Sequence, residues 1–304
     1  MTETTIQIHE VGLRDGLQME SEVVPTTVKL DWIGTLLDSG VDVLQLGSFV
    51  HPRRVPQMAD TDELFIQTLQ AHPHRHSVLS GLALNEKGLE RGLACGTELF
   101  CLGVSASETH SQKNTGMGTG EATTRILSMA RLALGEGKRV QVSVQSAFGC
   151  GYEGAVGSDR VLEIVDRYLE AGLTEISLAD TAGHGDPAAV HSLFEAVRQR
   201  SPHEVSLACH FHNTYGMALA NCAAALEEGV TCFESSLAGL GGCPFTAVAG
   251  GNVCTEDLVH MLQRMGLCGH VRLPVLIGLA RRFAQYFGRD LPGSVYRTGA
   301  IGED

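Results

Sequence analysis

Two histidines, His210 and His212, stand two positions apart at the end of the mostly apolar segment Val205–Ala208, which is typical of a short buried strand. Successive side chains of a strand point to opposite faces, so residues i and i+2 project on the same side. Neutral imidazole is the commonest protein ligand for a divalent ion, and this spacing therefore suits a metal site. Histidines are also often partly buried for packing alone, which leaves hydrogen-bonded structural histidines as the alternative.

The composition limits the kind of protein that uses these histidines. The chain has 304 residues and a net charge of -13, with no run of Lys or Arg, so we expect no nucleic-acid partner. Nine cysteines without a Cys-x-x-Cys pair argue against a disulfide framework and a structural zinc site, and favour a reducing compartment. The N-terminus lacks a basic and apolar leader, and no apolar stretch approaches the roughly 18 residues of a membrane span. We therefore expect a cytoplasmic protein without a membrane partner.

Short aliphatic or β-branched segments alternate with helical patterns along the whole chain. Eight strands are predicted, at Ile6–His9, Val41–Leu46, Ser77–Leu82, Leu99–Val104, Val140–Ser146, Glu175–Leu178, Val205–His210 and Cys232–Ser235. Helical segments lie between them, and several end at a glycine such as Gly40, Gly172 or Gly229. Eight such units predict a (β/α)8 TIM barrel, with an open doubly wound sheet as the alternative. No segment resembles a linker, so residues 1–304 are predicted to form one domain: a barrel over about 5–270 and a C-terminal helical extension over about 271–304.

The predicted barrel brings further polar residues to the two histidines. Asp15 follows the first strand, His210 and His212 end the seventh, and Asn252 lies after the eighth. These strands are neighbours in a barrel, and active sites lie at the carboxyl ends of barrel strands. Taken singly, Asp15 suits a cap and Asn252 a turn. Together, the oxygen and nitrogen ligands predict a divalent metal, Mg²⁺ or Mn²⁺, with zinc as an alternative.

Motifs along nearly the whole chain resemble those of the 3-hydroxy-3-methylglutaryl-CoA lyase family, which belongs to the metal-dependent aldolase and Claisen-type barrels. The motifs are Glu10-Val11-Gly12 with Arg14-Asp15-Gly16-Leu17-Gln18, Ser48-Phe49-Val50 with Val55-Pro56-Gln57-Met58-Ala59-Asp60, Ser105-Ala106-Ser107-Glu108, Tyr152-Glu153-Gly154, Asp180-Thr181, the 210–220 segment, Gly239 to Pro244, and Gly251-Asn252 with Thr255-Glu256-Asp257. The resemblance implies retro-Claisen cleavage of a small-molecule acyl-CoA to acetyl-CoA and a 3-oxo acid such as acetoacetate. It also implies a role in leucine degradation and a homodimer or higher homo-oligomer.

The resemblance assigns roles to individual residues. It makes Asp15, His210, His212 and Asn252 the metal ligands, and Arg14, Cys243 and His210 catalytic. Arg14 supplies a permanent charge where the enolate forms. Gly239, Gly241 and Gly242 would let the loop around Cys243 close as a lid, whereas a buried, unreactive thiol is the alternative for that cysteine. Substrate-binding positions are expected at Gln18, Glu10, Gln45, Ser48, Asp180, Thr181 and Asn114.

Three positions depart from the family pattern: Gln45 replaces a glutamate, Asn213 an aspartate, and Leu13 a proline. Gln45 cannot ionise, which predicts one negative charge fewer near Arg14 and the metal. A lyase for a related 3-hydroxyacyl-CoA is therefore an alternative to the 3-hydroxy-3-methylglutaryl-CoA lyase. A Claisen-type synthase that condenses acetyl-CoA with a 2-oxo acid, and a non-catalytic binding barrel, are further alternatives.

Overall fold

Eight parallel strands form the centre of the computed structural model, which describes residues 5–242 and 250–302. They are β1 Gln7–Glu10, β2 Val43–Ser48, β3 Val78–Leu82, β4 Leu99–Ser105, β5 Arg139–Gln145, β6 Glu175–Asp180, β7 Ser206–Phe211 and β8 Cys232–Ser235. Each strand pairs with the next along the chain, and β8 pairs with β1, which closes the barrel. The predicted TIM barrel is confirmed, and the alternative of an open sheet is wrong.

Helices connect the strands and cover the outside of the barrel. Their bounds are α1 Thr26–Ser39, α2 Thr61–Ala71, α3 Glu86–Cys95, α4 Glu108–Thr115, α5 Thr119–Gly135, α6 Ser158–Glu170, α7 Pro187–Arg200, α8 Ala218–Glu227, α9 Thr255–Arg264, α10 Leu273–Phe287 and α11 Val295–Thr298. The predicted glycine stops are found: Gly40, Gly172 and Gly229, at or just after the ends of α1, α6 and α8, all have positive φ.

Side chains of alternate residues along β5 separate into an apolar outer face and a polar inner one. Along β5, the valines at 140, 142 and 144 are buried, whereas Gln141, Ser143 and Gln145 line the cleft at the carboxyl end of the barrel. A second, smaller cavity of about 330 Å³ at the amino end includes His9 and Gln141 in its lining. The barrel interior therefore carries polar side chains at both ends.

The chain continues beyond the barrel with α10 and α11 after α9. Trp32 of α1 packs against Phe283 of α10, with ring centroids 4.1 Å apart, and against Tyr286 at 5.2 Å. Asp257 at the start of α9 accepts hydrogen bonds from the backbone N–H groups of Ser294 and Val295, which fixes the start of α11. No helix within residues 5–242 and 250–302 is long and apolar enough to cross a membrane.

Candidate active site

The predicted metal ligands meet at the carboxyl end of the barrel. His210 Nε2 lies 3.2 Å from His212 Nε2, and Asp15 Oδ2 lies 3.9 Å from each of these nitrogens. Asn252 Nδ2 donates to Asp15 Oδ2 over 2.8 Å. Asp15 stands on the π-helical turn Gly12–Gly16 that follows β1, and the two histidines project on the same side of the end of β7. The convergence predicted from the strand order is therefore present in the structure.

Backbone pairing holds Asn252 beside the end of β7. Asn213 N donates to Gly251 O over 2.7 Å and Val253 N to Phe211 O over 2.9 Å, so Asn252 faces His212 in a short antiparallel bridge. Gly241, with φ +125°, passes so close that a Cβ there would lie 2.3 Å from Asn252 Nδ2. Only glycine fits this position without moving the amide.

The donor set fits a divalent cation. Asn252 Oδ1 is buried and has no hydrogen-bond partner among the described residues, which leaves an oxygen available for ligation. Burial opposes ionisation of Asp15, but Arg14 and both histidines hold the pKa of its carboxyl well below the usual range. Burial lowers the pKa of His212 to about 4, so its ring is neutral at physiological pH. A carboxylate, imidazole nitrogens and an amide oxygen are ligands that Mg²⁺ and Mn²⁺ accept.

Arg14 is held between Gln45 and Asp15. Its Nε donates to Gln45 Oε1 and its Nη1 pairs with Asp15 Oδ1. Gln45 is 1% exposed and lies on the inner face of β2. The residue that departs from the family pattern thus contacts the predicted catalytic cation directly, as a neutral acceptor.

A cleft of about 690 Å³ opens over these residues. The predicted site residues in its lining are Arg14, Asp15, Gln18, Gln45, Asn114, Thr181, His210 and His212. Arg54, His51 and Arg125 also line it and place positive charge and a further imidazole around it. Cys243 lies outside the described residues, and its predicted role stays a prediction.

Glu10, Ser48 and Asp180 are buried but do not line this cleft. Glu10 and Asp180 are out of phase with the inward-facing positions of their strands, so their side chains lie behind the barrel wall. In β2 the register shifts between Gln45 and Gly47, and Ser48 pairs with Leu82, which lines the cleft. Asp180 accepts from His184 N and Gly185 N, each over 2.9 Å, and so organises the loop after β6. Glu10 accepts from Gly12 N over 2.7 Å and Leu237 N over 3.0 Å, and joins the loops after β1 and β8. The substrate contacts of all three residues stay predictions, and the positions of Glu10 and Asp180 favour supporting roles.

Sequence reasoning missed Glu234, which stands on β8 and points into the barrel. Its Oε2 lies 3.0 Å from His210 Nδ1, and its Oε1 accepts from Ser177 Oγ over 2.8 Å and Gln141 Nε2 over 2.9 Å. Burial disfavours the ionised carboxyl, but the hydrogen bond and charge of His210 lower the pKa of Glu234 to about 2. Burial likewise opposes protonation of His210, but Glu234 raises its pKa above the ordinary value. A charged residue at an inward position of a short strand was the available signal.

Known proteins resemble this chain over almost its full length. A family model described as HMGL-like matches residues 5–281. The chain is 36% identical over 288 residues to hydroxymethylglutaryl-CoA lyase YngG of Bacillus subtilis (strain 168). This alignment covers 94% of this chain and 95% of that protein. It is 38% identical over 290 residues to the mitochondrial hydroxymethylglutaryl-CoA lyase of Homo sapiens, covering 95% and 88% respectively. Its fold matches the HMG-CoA lyase of Acinetobacter baumannii, solved with coenzyme A and 3-methylmalate, with a TM-score of 0.93, 35% identity and coverage of 100% and 99%.

Proposed function

The chain belongs to the HMGL-like family, and we propose that it is a metal-dependent carbon–carbon lyase. Its substrate is a 3-hydroxyacyl-CoA of the 3-hydroxy-3-methylglutaryl type, which it cleaves to acetyl-CoA and a 3-oxo acid such as acetoacetate. The observation that carries this proposal is the meeting of Asp15, His210, His212 and Asn252 beside Arg14, under one cleft.

The proposed metal ligands are Asp15, His210, His212 and Asn252, and the ion is Mg²⁺ or Mn²⁺. When bound, such an ion acidifies a coordinated hydroxyl and fixes the orientation of the oxygens that it contacts. Asp15 contributes the negative charge, because its carboxyl is ionised over the whole physiological pH range. The neutral ring of His212 contributes a nitrogen lone pair.

Arg14 stabilises the charge that develops during cleavage. A general base takes the proton of the substrate hydroxyl, the bond between C2 and C3 breaks, and the electron pair of that bond passes to the thioester as an enolate. Protonation of the enolate carbon then gives acetyl-CoA, while the oxygen of the former hydroxyl becomes the ketone of the 3-oxo acid. A fixed guanidinium is suited to the enolate oxygen because it is charged at every working pH and oriented before the reaction starts. Gln45 and Asp15 supply that orientation.

Residues on the outer part of the cleft suit the coenzyme A portion. Asn114 of α4 and Arg54 line the cleft and offer a hydrogen-bonding and a positively charged group for phosphates. Arg125 also lines the cleft, but its Nε and Nη2 already donate to Glu86. Lys113 instead lies over the ring of Tyr152, 4.3 Å from its centroid. The solved A. baumannii relative binds coenzyme A, which supports an acyl-CoA substrate here.

Gln45 favours a second candidate substrate, a related 3-hydroxyacyl-CoA with a different group at the tertiary carbon. The amide is neutral and bonded to Arg14, and uncharged Gln141, Ser143 and Gln145 line the cleft floor near it. The homo-oligomer and the role in leucine degradation stay predictions.

A screen of acyl-CoA thioesters with Mg²⁺ and Mn²⁺, followed by chromatography of the CoA products, tests the proposal. We expect metal-dependent release of acetyl-CoA from 3-hydroxy-3-methylglutaryl-CoA or an analogue altered at its tertiary carbon. Product formation only in the condensing direction, from acetyl-CoA and a 2-oxo acid, would identify a synthase instead.

A further inference from the structure

Glu234 is an acidic side chain placed inside the barrel, directly beneath the two histidines. It is paired in register with His9 of β1 and His210 of β7, so it stands between two imidazole-bearing strands. Its side chain is 10% exposed. An ionised carboxylate in such a place costs free energy unless hydrogen bonds compensate for lost water.

Three neighbours supply that compensation, each from a different strand. Ser177 of β6 and Gln141 of β5 donate to Oε1, over 2.8 and 2.9 Å. His210 of β7 is 3.0 Å from Oε2 through Nδ1. The two donors to Oε1 fix the carboxylate plane, which leaves Oε2 directed at the imidazole.

This arrangement determines which nitrogen of His210 is available. An ionised carboxylate is only an acceptor, so the proton of the neutral imidazole belongs on Nδ1 and the lone pair on Nε2. Nε2 is the nitrogen that faces His212 and Asp15. His212 has a weaker support, because its Nδ1 lies 3.4 Å from the carbonyl oxygen of Gly250. The ligand group of His210 is thus the more strongly oriented of the two.

We propose that Glu234 is a positioning residue that locks His210 in the Nδ1–H tautomer and so presents Nε2 to the metal ion, with Ser177 and Gln141 holding the carboxylate in place. This inference rests on the proposed metal site and deepens it. Glu234 is not one of the proposed metal ligands, and its proposed role acts through His210. Partners that orient a ligating histidine are worth about 10- to 100-fold in metal affinity.

Mn²⁺ binding to metal-stripped protein, followed by the loss of the free-ion electron paramagnetic resonance signal, tests the inference without an activity assay. We expect Glu234→Gln to weaken binding by about 10-fold or more, since the charged acceptor is lost while side-chain volume is kept. Glu175→Gln is the matched control: it removes a glutamate charge from β6 at the other end of the barrel, where the carboxylate pairs with Arg139. It should change the affinity by less than about twofold, because the charge it removes is distant and partly exposed.

The tautomer gives a second readout, which loss of packing alone would not change. In metal-free protein with ¹⁵N-labelled histidine, at a pH high enough for the His210 ring to be neutral, the His210 signal should show a protonated Nδ1 and an unprotonated Nε2 in wild type. The signal is identified by its disappearance in His210→Gln. In Glu234→Gln this preference should fall. If Glu234→Gln does not fold, Ser177→Ala decides the matter, because it removes one donor to Oε1 and should still weaken Mn²⁺ binding several-fold.

The outcomes separate this inference from the proposed function. Tight Mn²⁺ binding by wild type with unchanged affinity in the folded Glu234→Gln variant overturns the role of Glu234 alone. An Nε2–H tautomer in wild type also overturns it. If wild type binds no Mn²⁺, the metal site itself is wrong, and the inference fails with it.

Discussion

Replacing Arg14 by lysine tests whether the guanidinium acts in the transition state. Arginine reaches Gln45 through Nε and Asp15 through Nη1 at the same time, because both donors belong to one planar group. A lysine ammonium is a point charge on a flexible stem and cannot reproduce this two-sided arrangement. The variant keeps the net charge and loses the fixed orientation.

The expected loss follows from what one oriented donor contributes. Removal of one preorganised donor to a developing oxyanion costs about 10²- to 10³-fold in turnover, or about 2.7–4 kcal/mol. We expect Arg14→Lys to lower kcat by about 100-fold or more, with a smaller change in KM, because the interaction strengthens only as the enolate forms.

Steady-state kinetics of acetyl-CoA release measure kcat and KM separately. Arg54→Lys is the control, since Arg54 also lines the cleft but is exposed and lies outside the predicted metal shell. It should change mainly KM. A raised KM at unchanged kcat in Arg14→Lys would make Arg14 a substrate-binding residue and refute the argument.

Two further predictions concern Gln45 and Glu10. Gln45→Glu should shift the kcat/KM ratio toward 3-hydroxy-3-methylglutaryl-CoA and away from an analogue altered at the tertiary carbon, by about tenfold, because a charged hydrogen bond to Arg14 differs from a neutral one by about 1–2 kcal/mol. Equal ratios in both proteins would reject the divergent-substrate alternative. Burial raises the pKa of Glu10 to about 7, so between pH 4.5 and 7 the folded protein holds a proton that the unfolded chain releases. The contribution of Glu10 to stability must therefore fall as pH rises through this interval, and Glu10→Gln should remove that slope from the pH dependence of urea unfolding. A slope identical to wild type would show that Glu10 is ionised in the folded state throughout.

The alternation of side chains between the two faces of a strand explains which site residues could be predicted. His210 and His212 share one face of β7, and the strand order brings Asp15 and Asn252 to them, so the metal cluster was predictable from positions alone. The same two-residue period places Glu10 and Asp180 behind the barrel wall, although their motifs suggested substrate contact. The register shift in β2 breaks this period before Ser48, and the sequence does not show that shift. Applying the period to every motif, as well as to the histidines, would have distinguished the two groups.

Other features depend on contacts between distant segments. Glu234 becomes informative only when Gln141, Ser177 and His210 are known to surround it, and these partners come from three other strands. The hydrogen bond from Arg14 to Gln45 joins β2 to the loop after β1 in the same way. The sequence showed that Gln45 is neutral but could not show which atom it contacts. Helix α4 is polar and short, so its sequence has no apolar periodicity from which a helix could be predicted.

Metal content and metal dependence test the central claim most directly. Purified protein, saturated with Mn²⁺ or Mg²⁺ and freed of excess ion, should hold one divalent ion per chain by mass spectrometry of the metal. Exhaustive chelation should abolish acetyl-CoA release, and Mn²⁺ or Mg²⁺ should restore it. His210→Ala should lose both the ion and the activity, whereas His203→Ala, at an exposed histidine, should keep both. Full activity after chelation, or in His210→Ala, would contradict the assignment of Asp15, His210, His212 and Asn252 as a catalytic metal site.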